Sequence, residues 1–280
     1  MISATEYREK KEILLKEYEQ KVRTWLSEKN KGELAKKIPF FRDGVVCPEV
    51  WFQEGNDFRP LFILKEVSIG INDVEKLDSY LEYWGNTKCF EFVENYFDDI
   101  RIGSAKSKTW KKIAKLAKGM YEIHRGKDKI EYDKYNFDFI AGGEKYAGSI
   151  PGYLKEFSQR TANQEYNDII DRIAVIDIKK VGGGTTVGSK LSLESEHYTN
   201  HISQFSDLLC EQIKLIDPTV IVCCGYEFGK CTSVLLEEIK QQSGSRIWMD
   251  QYHPAYWRIT NEIFFDEFFN KYRRKCCAKL

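Results

Sequence analysis

Four short apolar runs, each closed by charged residues or glycine, constrain the fold of this chain more than any other feature. They are LFILKE at 61–66, RIAVIDIKK at 172–180, TVIVCCG at 219–225 and RIWMDQYHP at 246–254. Runs that are apolar on both faces are typical of parallel strands covered by helices. Helical patterns lie between these runs, at 79–98, 108–122, 200–216 and 227–242. The order of elements predicts an α/β fold of three layers, α/β/α, around a short parallel four-stranded sheet.

The ends of the chain predict two further helices. Tyr7, Leu14, Tyr18, Val22 and Trp25 recur three, four or seven residues apart, which is the stripe of an amphipathic helix over 5–29. A strongly apolar final helix is predicted in the last twenty residues. We divide the chain into an N-terminal helical cap at 1–39 and an α/β domain at 40–280, with a long insertion at about 70–165. Within that insertion, the polar segment 126–160 is interpreted as a loop near the site.

Composition and charge narrow the class of protein. A hydrophobic content of 42% over 280 residues is ample for a packed core. No apolar run approaches the ~20 residues of a membrane helix, and the charged start is unlike a signal peptide, so a cytoplasmic protein without membrane contact is predicted. The eight cysteines form no C-x-x-C pair, which argues against a zinc site or a disulfide framework.

One basic patch stands out in a chain whose formal charge is zero. Residues 106–118 carry six lysines around Trp110. Because the whole-molecule field is neutral, attraction to nucleic acid has to come from a local patch such as this one. The alternative interpretation is a solvated helix face.

The polar residues at the four predicted strand ends are expected to be neighbours. In an open parallel sheet, ligands bind beyond the carboxyl ends of the strands, where helix N-termini point inward. The set contains a carboxylate that can hold a water, an imidazole that can stabilise negative charge, and a glycine loop that can approach a phosphate. Its members are Lys65, Glu66, Asp177, Lys179, Lys180, Gly182 to Gly184, Gly225, Tyr226, Gln251, His253 and Tyr256.

Each member also has an ordinary interpretation. Glu66 can pair with Lys65 or another lysine, His253 can be a turn residue before Pro254, and the glycines can be a flexible connection. Their joint placement at one edge favours a site. GGTTVGSKLS at 183–192 nearly spells a phosphate loop, but Ser189 displaces the lysine and Leu191 replaces the hydroxyl. A nucleotide hydrolase using the loop 182–190 is therefore the less favoured alternative.

Four segments together resemble motifs of the uracil-DNA glycosylase superfamily, in order and spacing, over roughly residues 40–275. They are LFILKEVSIG, IAVIDIKKVGGG, QFSDLLCEQIKLIDPTVIVCCG and YHPAY. In the resemblance, Glu66 takes the position of the water-activating residue and Asp177 that of an asparagine. His253 takes the position of the histidine in the H-P-S motif, where Ala255 replaces the serine. The glycine and proline of the first motif are absent.

The resemblance implies a DNA glycosylase that hydrolyses the N-glycosidic bond of a flipped-out uracil or modified pyrimidine, including a hypermodified cytosine of phage DNA. It implies DNA, double- or single-stranded, as the partner, no metal or cofactor, and a monomer. The alternative from a different class is a member that binds DNA without excision.

The residue roles follow from the same resemblance. The implied catalytic residues are Glu66, His253 and Asp177. The implied base-binding residues are Lys65, Ser68, Tyr226, Tyr256 and Trp110, with Tyr146 and Tyr153 as further candidates for the stacking platform. The implied phosphate-binding residues are Lys108, Lys111, Lys112, Lys179, Lys180, Gly183, Gly184 and Lys190, with Lys106 beside them.

Overall fold

A computed structural model describes residues 2–28, 40–68, 108–135, 137, 164–183, 195–224, 237, 241, 246–254 and 258–277. Its elements, in chain order, are α1 (Ala4–Glu28), β1 (Gly44–Val45), α2 (Pro48–Trp51), β2 (Pro60–Ser68), α3 (Lys108–His124), a 3-10 turn (Tyr132–Lys134), α4 (Gln164–Ile170), β3 (Ala174–Gly183), α5 (Ser195–Ile216), β4 (Val220–Cys224), β5 (Ile247–Gln251) and α6 (Asn261–Cys277). The α/β class predicted from the sequence is confirmed.

The strands form one mixed five-stranded sheet in the order β1-β3-β2-β4-β5. Strands β2 to β5 are parallel, as predicted, and β1 is antiparallel to β3. The predicted count of four strands is therefore wrong by one. The reason is that β1 has only two residues, Gly44 and Val45, and a strand of that length carries neither an apolar run nor a period of two.

The parallel strands are apolar at successive positions because both faces of the sheet are covered. Phe62 and Leu64 of β2 belong to one hydrophobic cluster, whereas Leu61 and Ile63 belong to the other. All five residues of β4 are buried. Alternation along a strand sends successive side chains to opposite faces, so a run without polar interruptions is the expected result of double burial.

The predicted helices at 5–29, 108–122, 200–216 and the last twenty residues are confirmed as α1, α3, α5 and α6. Helix α1 buries most of the predicted stripe, together with Leu15, and it packs against α5. The helix predicted at 79–98 lies outside the described residues, as does nearly all of the one at 227–242. None of the described helices combines the length and hydropathy of a membrane span.

Helix α3 belongs to the main core, although it lies within the predicted insertion at about 70–165. Ile113, Leu116 and Met120 of α3 have no exposed surface. Tyr135 and Phe137, from the segment interpreted as a polar loop, are buried in the same cluster. Helix α3, Tyr135 and Phe137 therefore contribute to the core of the protein. The predicted boundary between the N-terminal cap and the α/β domain, at residue 39, stays a prediction.

Two helices begin near the carboxyl edge of the sheet. The C-terminal end of α3 lies at the amino end of β2, where His124 Nε2 is 3.1 Å from Asp57 Oδ2. At the other end of α3, Lys112 Nζ lies 4.5 Å from the ring centroid of Phe264 in the first turns of α6. The Phe264 carbonyl in turn accepts a hydrogen bond from Gln251, the last residue of β5. The N-termini of α3 and α6 therefore meet beside the carboxyl end of β5.

Candidate functional site

The carboxyl ends of β2 to β5 meet at one edge, as the sequence predicts. Ile63 of β2 is in register with Cys223 of β4, which is in register with Asp250 of β5. Three residues beyond this row, the chain reaches Glu66 on β2 and His253 just after β5. Neighbouring strands lie about 4.8 Å apart, so β2 and β5 run roughly 10 Å apart, and Glu66 and the turn with His253 are at the same edge.

This edge contains the topological switch point of the sheet. From β2 the chain crosses to β3 on one side, and the following strand, β4, then lies on the other side of β2. Connections leave in opposite directions at such a point and open a crevice outside the carboxyl ends of the two strands. Glu66 stands on the strand that borders this crevice. The position is the one at which doubly wound sheets bind their ligands.

Asp177 lies two residues deeper in the sheet than Glu66. It is in register with Leu64, whereas Glu66 is in register with Lys179. The Asp177 side chain is 1% exposed and shares the sheet face of Val175, since Ile176 and Ile178 belong to the cluster on the other face. Its backbone N–H donates to Asp43 Oδ2 at 2.6 Å. Asp177 is thus close to the candidate site but forms part of the sheet interior.

Lys180, predicted as a phosphate-binding residue, is part of the core, and that prediction is wrong. Its ammonium donates to both carboxylate oxygens of Asp43, at 2.6 and 2.7 Å, and neither side chain has exposed surface. Gln212 Nε2 of α5 donates to Asp43 Oδ1 at 2.8 Å. The side chain of Lys180 follows that of Ile178 to the face covered by α5, away from solvent and from any phosphate.

Trp110, predicted as a base-stacking platform, is also a core residue. Its side chain is only 8% exposed and lies in the larger hydrophobic cluster. A stacking platform needs an accessible ring face, so this prediction is wrong as well. The buried stripe of α3, with Ile113 and Ala117, accounts for the position of Trp110, because residues three and seven apart share one helix face.

The lysines of α3 divide between the two ends of the helix. Lys108 is its first residue, and Lys111 and Lys112 are half-buried within its first turns, at the end beside the carboxyl edge. Lys118, further along, pairs with Glu165 and lies 4.0 Å from the ring centroid of Tyr135. The solvated-face interpretation of this patch fails for Lys118, whose side chain is only 17% exposed.

The remaining predicted site residues fall into two groups. Lys65, Ser68, Lys179 and Gly183 lie on the extended ends of β2 and β3, where Ser68 is in register with Gly183 after an irregularity in the pairing. The others lie outside the described residues, namely Lys106, Tyr146, Tyr153, Gly184, Lys190, Tyr226 and Tyr256. Gly183, the first residue of the segment 183–192 that nearly matches a phosphate-loop motif, is the last residue of β3.

Sequence reasoning missed Asp43 and Gln212. Asp43 lies in a stretch without periodicity, so no local pattern singles it out. Gln212 does carry a signal, because it is a polar residue between Leu209 and Ile216 on a buried helix face. A polar side chain on such a face predicts a buried hydrogen-bond partner, although it does not identify that partner.

Two further titratable groups near Asp43 have shifted pKa values. Burial raises the pKa of Tyr7, and the charge of Asp43 adds to this effect, so the phenol stays neutral while it accepts a hydrogen bond from the Val45 N–H at 2.9 Å. Burial lowers the pKa of Lys11, an effect that Asp43 opposes. In the described part of the chain, no three His, Cys, Asp or Glu side chains cluster in a way that could hold a metal ion.

Comparisons with known proteins return no relatives. No family profile matches the chain. The curated proteins contain no match, and the solved structures contain none. The resemblance to the uracil-DNA glycosylase superfamily therefore depends on the four sequence motifs alone.

Proposed function

We propose that this protein is a DNA glycosylase that hydrolyses the N-glycosidic bond of a flipped-out uracil or modified pyrimidine and leaves an abasic site. The observation that supports the proposal is the parallel pairing of β2, β4 and β5, which places Glu66 on β2 and His253 just after β5 at the same edge of the sheet, on either side of the switch point. An acid and an imidazole at one edge, carried by strands that run roughly 10 Å apart, are suited to act on a single nucleotide held between them.

The proposed reaction is a hydrolysis with an oxocarbenium-like transition state. Glu66 accepts a hydrogen bond from the attacking water and offsets the positive charge that develops on the sugar. The water oxygen bonds to the anomeric carbon as the bond from that carbon to the base nitrogen breaks, and the electron pair leaves with the base. The water loses a proton to Glu66, which passes it to solvent, and the departing base anion takes up a proton from solvent. His253 donates a hydrogen bond to the base oxygen on which negative charge grows. Asp177, two residues deeper in the sheet, contributes its charge from the interior.

The proposed DNA contacts surround this edge. Lys108, Lys111 and Lys112 stand at the N-terminal end of α3, and the positive end of a helix dipole favours phosphate. Lys179, Gly183, Gly184 and Lys190 are the further proposed phosphate ligands after β3. With Trp110 excluded, Tyr226 and Tyr256 are the favoured stacking residues, and Lys65 and Ser68 the further base contacts.

The three-layer arrangement predicted from the sequence is part of the same proposal. Helices on both faces of the sheet would complete a three-layer α/β/α domain, acting as a cytoplasmic monomer on DNA. The long segment between β2 and β3 suits a pocket for a bulky base, such as a hypermodified cytosine of phage DNA, because it follows the strand that carries Glu66. Flipping costs a few kcal/mol, which favours weakened or foreign bases.

A base-release assay tests the proposal. The protein is incubated with duplex and single-stranded oligonucleotides that contain uracil, hypoxanthine, hydroxymethylcytosine or glucosylated hydroxymethylcytosine, and abasic sites are revealed by alkali. We expect alkali-dependent cleavage at one of these bases and none in the unmodified duplex. Retention of the oligonucleotide without base release would instead identify a DNA-binding module, and strand breaks before alkali treatment would identify a nuclease.

A further inference from the structure

The side chain of Gln251 connects the end of β5 to the first turns of α6. It is 6% exposed, its Nε2 donates to the Phe264 carbonyl at 2.6 Å, and its Oε1 accepts from the Tyr252 N–H at 2.9 Å. Both polar atoms of the amide are therefore engaged inside the protein. The two hydrogen bonds hold the chain at the point where it leaves the sheet, two residues before His253.

The residue after His253 restricts the same turn from the other side. Pro254 is buried, and a residue that precedes proline is limited to extended backbone conformations. His253 itself is half-buried and lies between these two buried neighbours. Its backbone is thus restrained by Gln251 on one side and by Pro254 on the other, which holds its Cα at this edge.

The partner of Gln251 links this turn to the lysines of α3. Phe264 has no exposed surface, and the ammonium of Lys112 lies 4.5 Å from its ring centroid. One buried amide therefore connects the strand end that carries His253 to the helix pair beside it. An amide suits this position because it donates to one backbone group and accepts from another without placing a charge in the core.

We infer that Gln251 is a positioning residue, which sets the turn of His253 against α6 so that the imidazole faces the crevice beside β2. The effect on catalysis rests on the proposed function. The effect on the position of His253 rests on the two hydrogen bonds of Gln251. Gln251 acts through His253 and needs no contact with the substrate. Its loss displaces the imidazole, whereas the bulk of the protein keeps its fold.

The structural test observes His253 directly. The protein contains four histidines, so labelling their ring carbon with ¹³C yields few NMR signals, and the one lost in His253→Ala is assigned to His253. Gln251→Met keeps the volume of the side chain and removes both hydrogen bonds. We expect it to shift or broaden the His253 signal and to leave that of His124, at the opposite edge, unchanged. An unmoved His253 signal would overturn the inference.

A matched control separates positioning from general destabilisation. Gln212→Met removes another buried amide hydrogen bond, on the face covered by α5. It should lower the melting temperature to a similar extent without moving the His253 signal. If both variants perturb His253 equally, Gln251 has no special relation to it and the inference fails.

Kinetics test the consequence for base release. We expect Gln251→Met to lower kcat by about 10- to 100-fold while KM for the oligonucleotide stays within about 2-fold, because a small misplacement of a catalytic group affects the transition state more than DNA binding. A rise in KM with unchanged kcat would contradict a positioning role. If the unmodified protein releases no base, the proposed function fails, whereas the NMR comparison still decides whether Gln251 positions His253.

Discussion

Lys180 Nζ lies 2.6 Å from Asp43 Oδ1 in a pair whose side chains have no exposed surface. The carboxylate of Asp43 also accepts from the Asp177 N–H at 2.6 Å and from Gln212 Nε2 at 2.8 Å. The ion pair thus connects Lys180 of β3 to Asp43, which precedes β1, and Gln212 connects both to α5. Burial of two charges is favourable only where further hydrogen bonds satisfy the pair, and that condition is met here by the Asp177 N–H and Gln212.

Substitution of Lys180 is expected to destabilise the protein strongly. Lys180→Met leaves the Asp43 carboxylate buried without its cation, which costs about 3 to 5 kcal/mol. Asp43→Asn together with Lys180→Met removes both charges, keeps an acceptor for the Asp177 N–H, and should regain most of the loss. Urea unfolding measures both values. Lys214→Met, which breaks an exposed pair with Glu211, serves as the control and should change the free energy of unfolding by less than about 0.5 kcal/mol.

Glu66→Gln and His253→Ala should each slow base release by a factor on the order of hundreds, because one preorganised donor or acceptor at developing charge is worth ~2.7 to 4 kcal/mol. DNA affinity should persist, since the proposed phosphate contacts do not involve these two residues. Single-turnover rates measure the chemical step, and fluorescence anisotropy measures binding.

Two matched substitutions serve as controls for these variants. Glu54→Gln changes an exposed carboxylate before β2, and His124→Ala removes an imidazole at the amino end of the sheet. Both controls should release base at the rate of the unmodified protein. Unchanged rates in Glu66→Gln or His253→Ala would remove the substituted residue from the mechanism.

Asp217 is expected to be required for the stability of the amino edge of the sheet. It accepts from Arg59 at 2.9 Å and from Arg246 at 3.0 Å, and its φ of 49° is left-handed. Asp217→Ala loses both ion pairs and places alanine in a strained conformation, so a loss of about 1 to 3 kcal/mol is expected. Asp217→Asn should lose less, because asparagine tolerates left-handed backbone and keeps an acceptor. Thermal unfolding should rank the three proteins, and a Tm of Asp217→Ala equal to that of the unmodified protein would contradict this role.

Gly119 marks the close contact between α3 and α6. A methyl group at this position would overlap the Phe269 ring. Gly119→Ala should therefore destabilise by about 1 to 3 kcal/mol through overpacking, although alanine favours an isolated helix by ~1 kcal/mol. Gly119→Ala combined with Phe269→Leu should recover part of this loss in chemical denaturation. A gain in stability for Gly119→Ala alone would mean that the helices are further apart than the structure describes.

The part of the candidate site that depends only on the direction of the strands could be predicted from the sequence. Parallel strands place their carboxyl ends at the same edge whatever their order, so Glu66, Asp177 and His253 were assigned to one edge from the runs alone. The order of strands was not predictable, because it is set by the connections and not by the runs. Only the observed order, with β2 between β3 and β4, brings Glu66 to the switch point.

By itself, the sequence determined the elements whose signal is local: the apolar strands β2 to β5, the helices α1, α3, α5 and α6, and the α/β class that follows from their order. Only the tertiary structure decided the environment of single residues. Lys180 lies at the polar end of a strand beside a second lysine, and Trp110 lies among lysines, yet both Lys180 and Trp110 are buried. The physical reason is that burial and pairing arise from partners far away in the chain, such as Asp43 for Lys180, and no pattern within a strand or helix specifies such a partner.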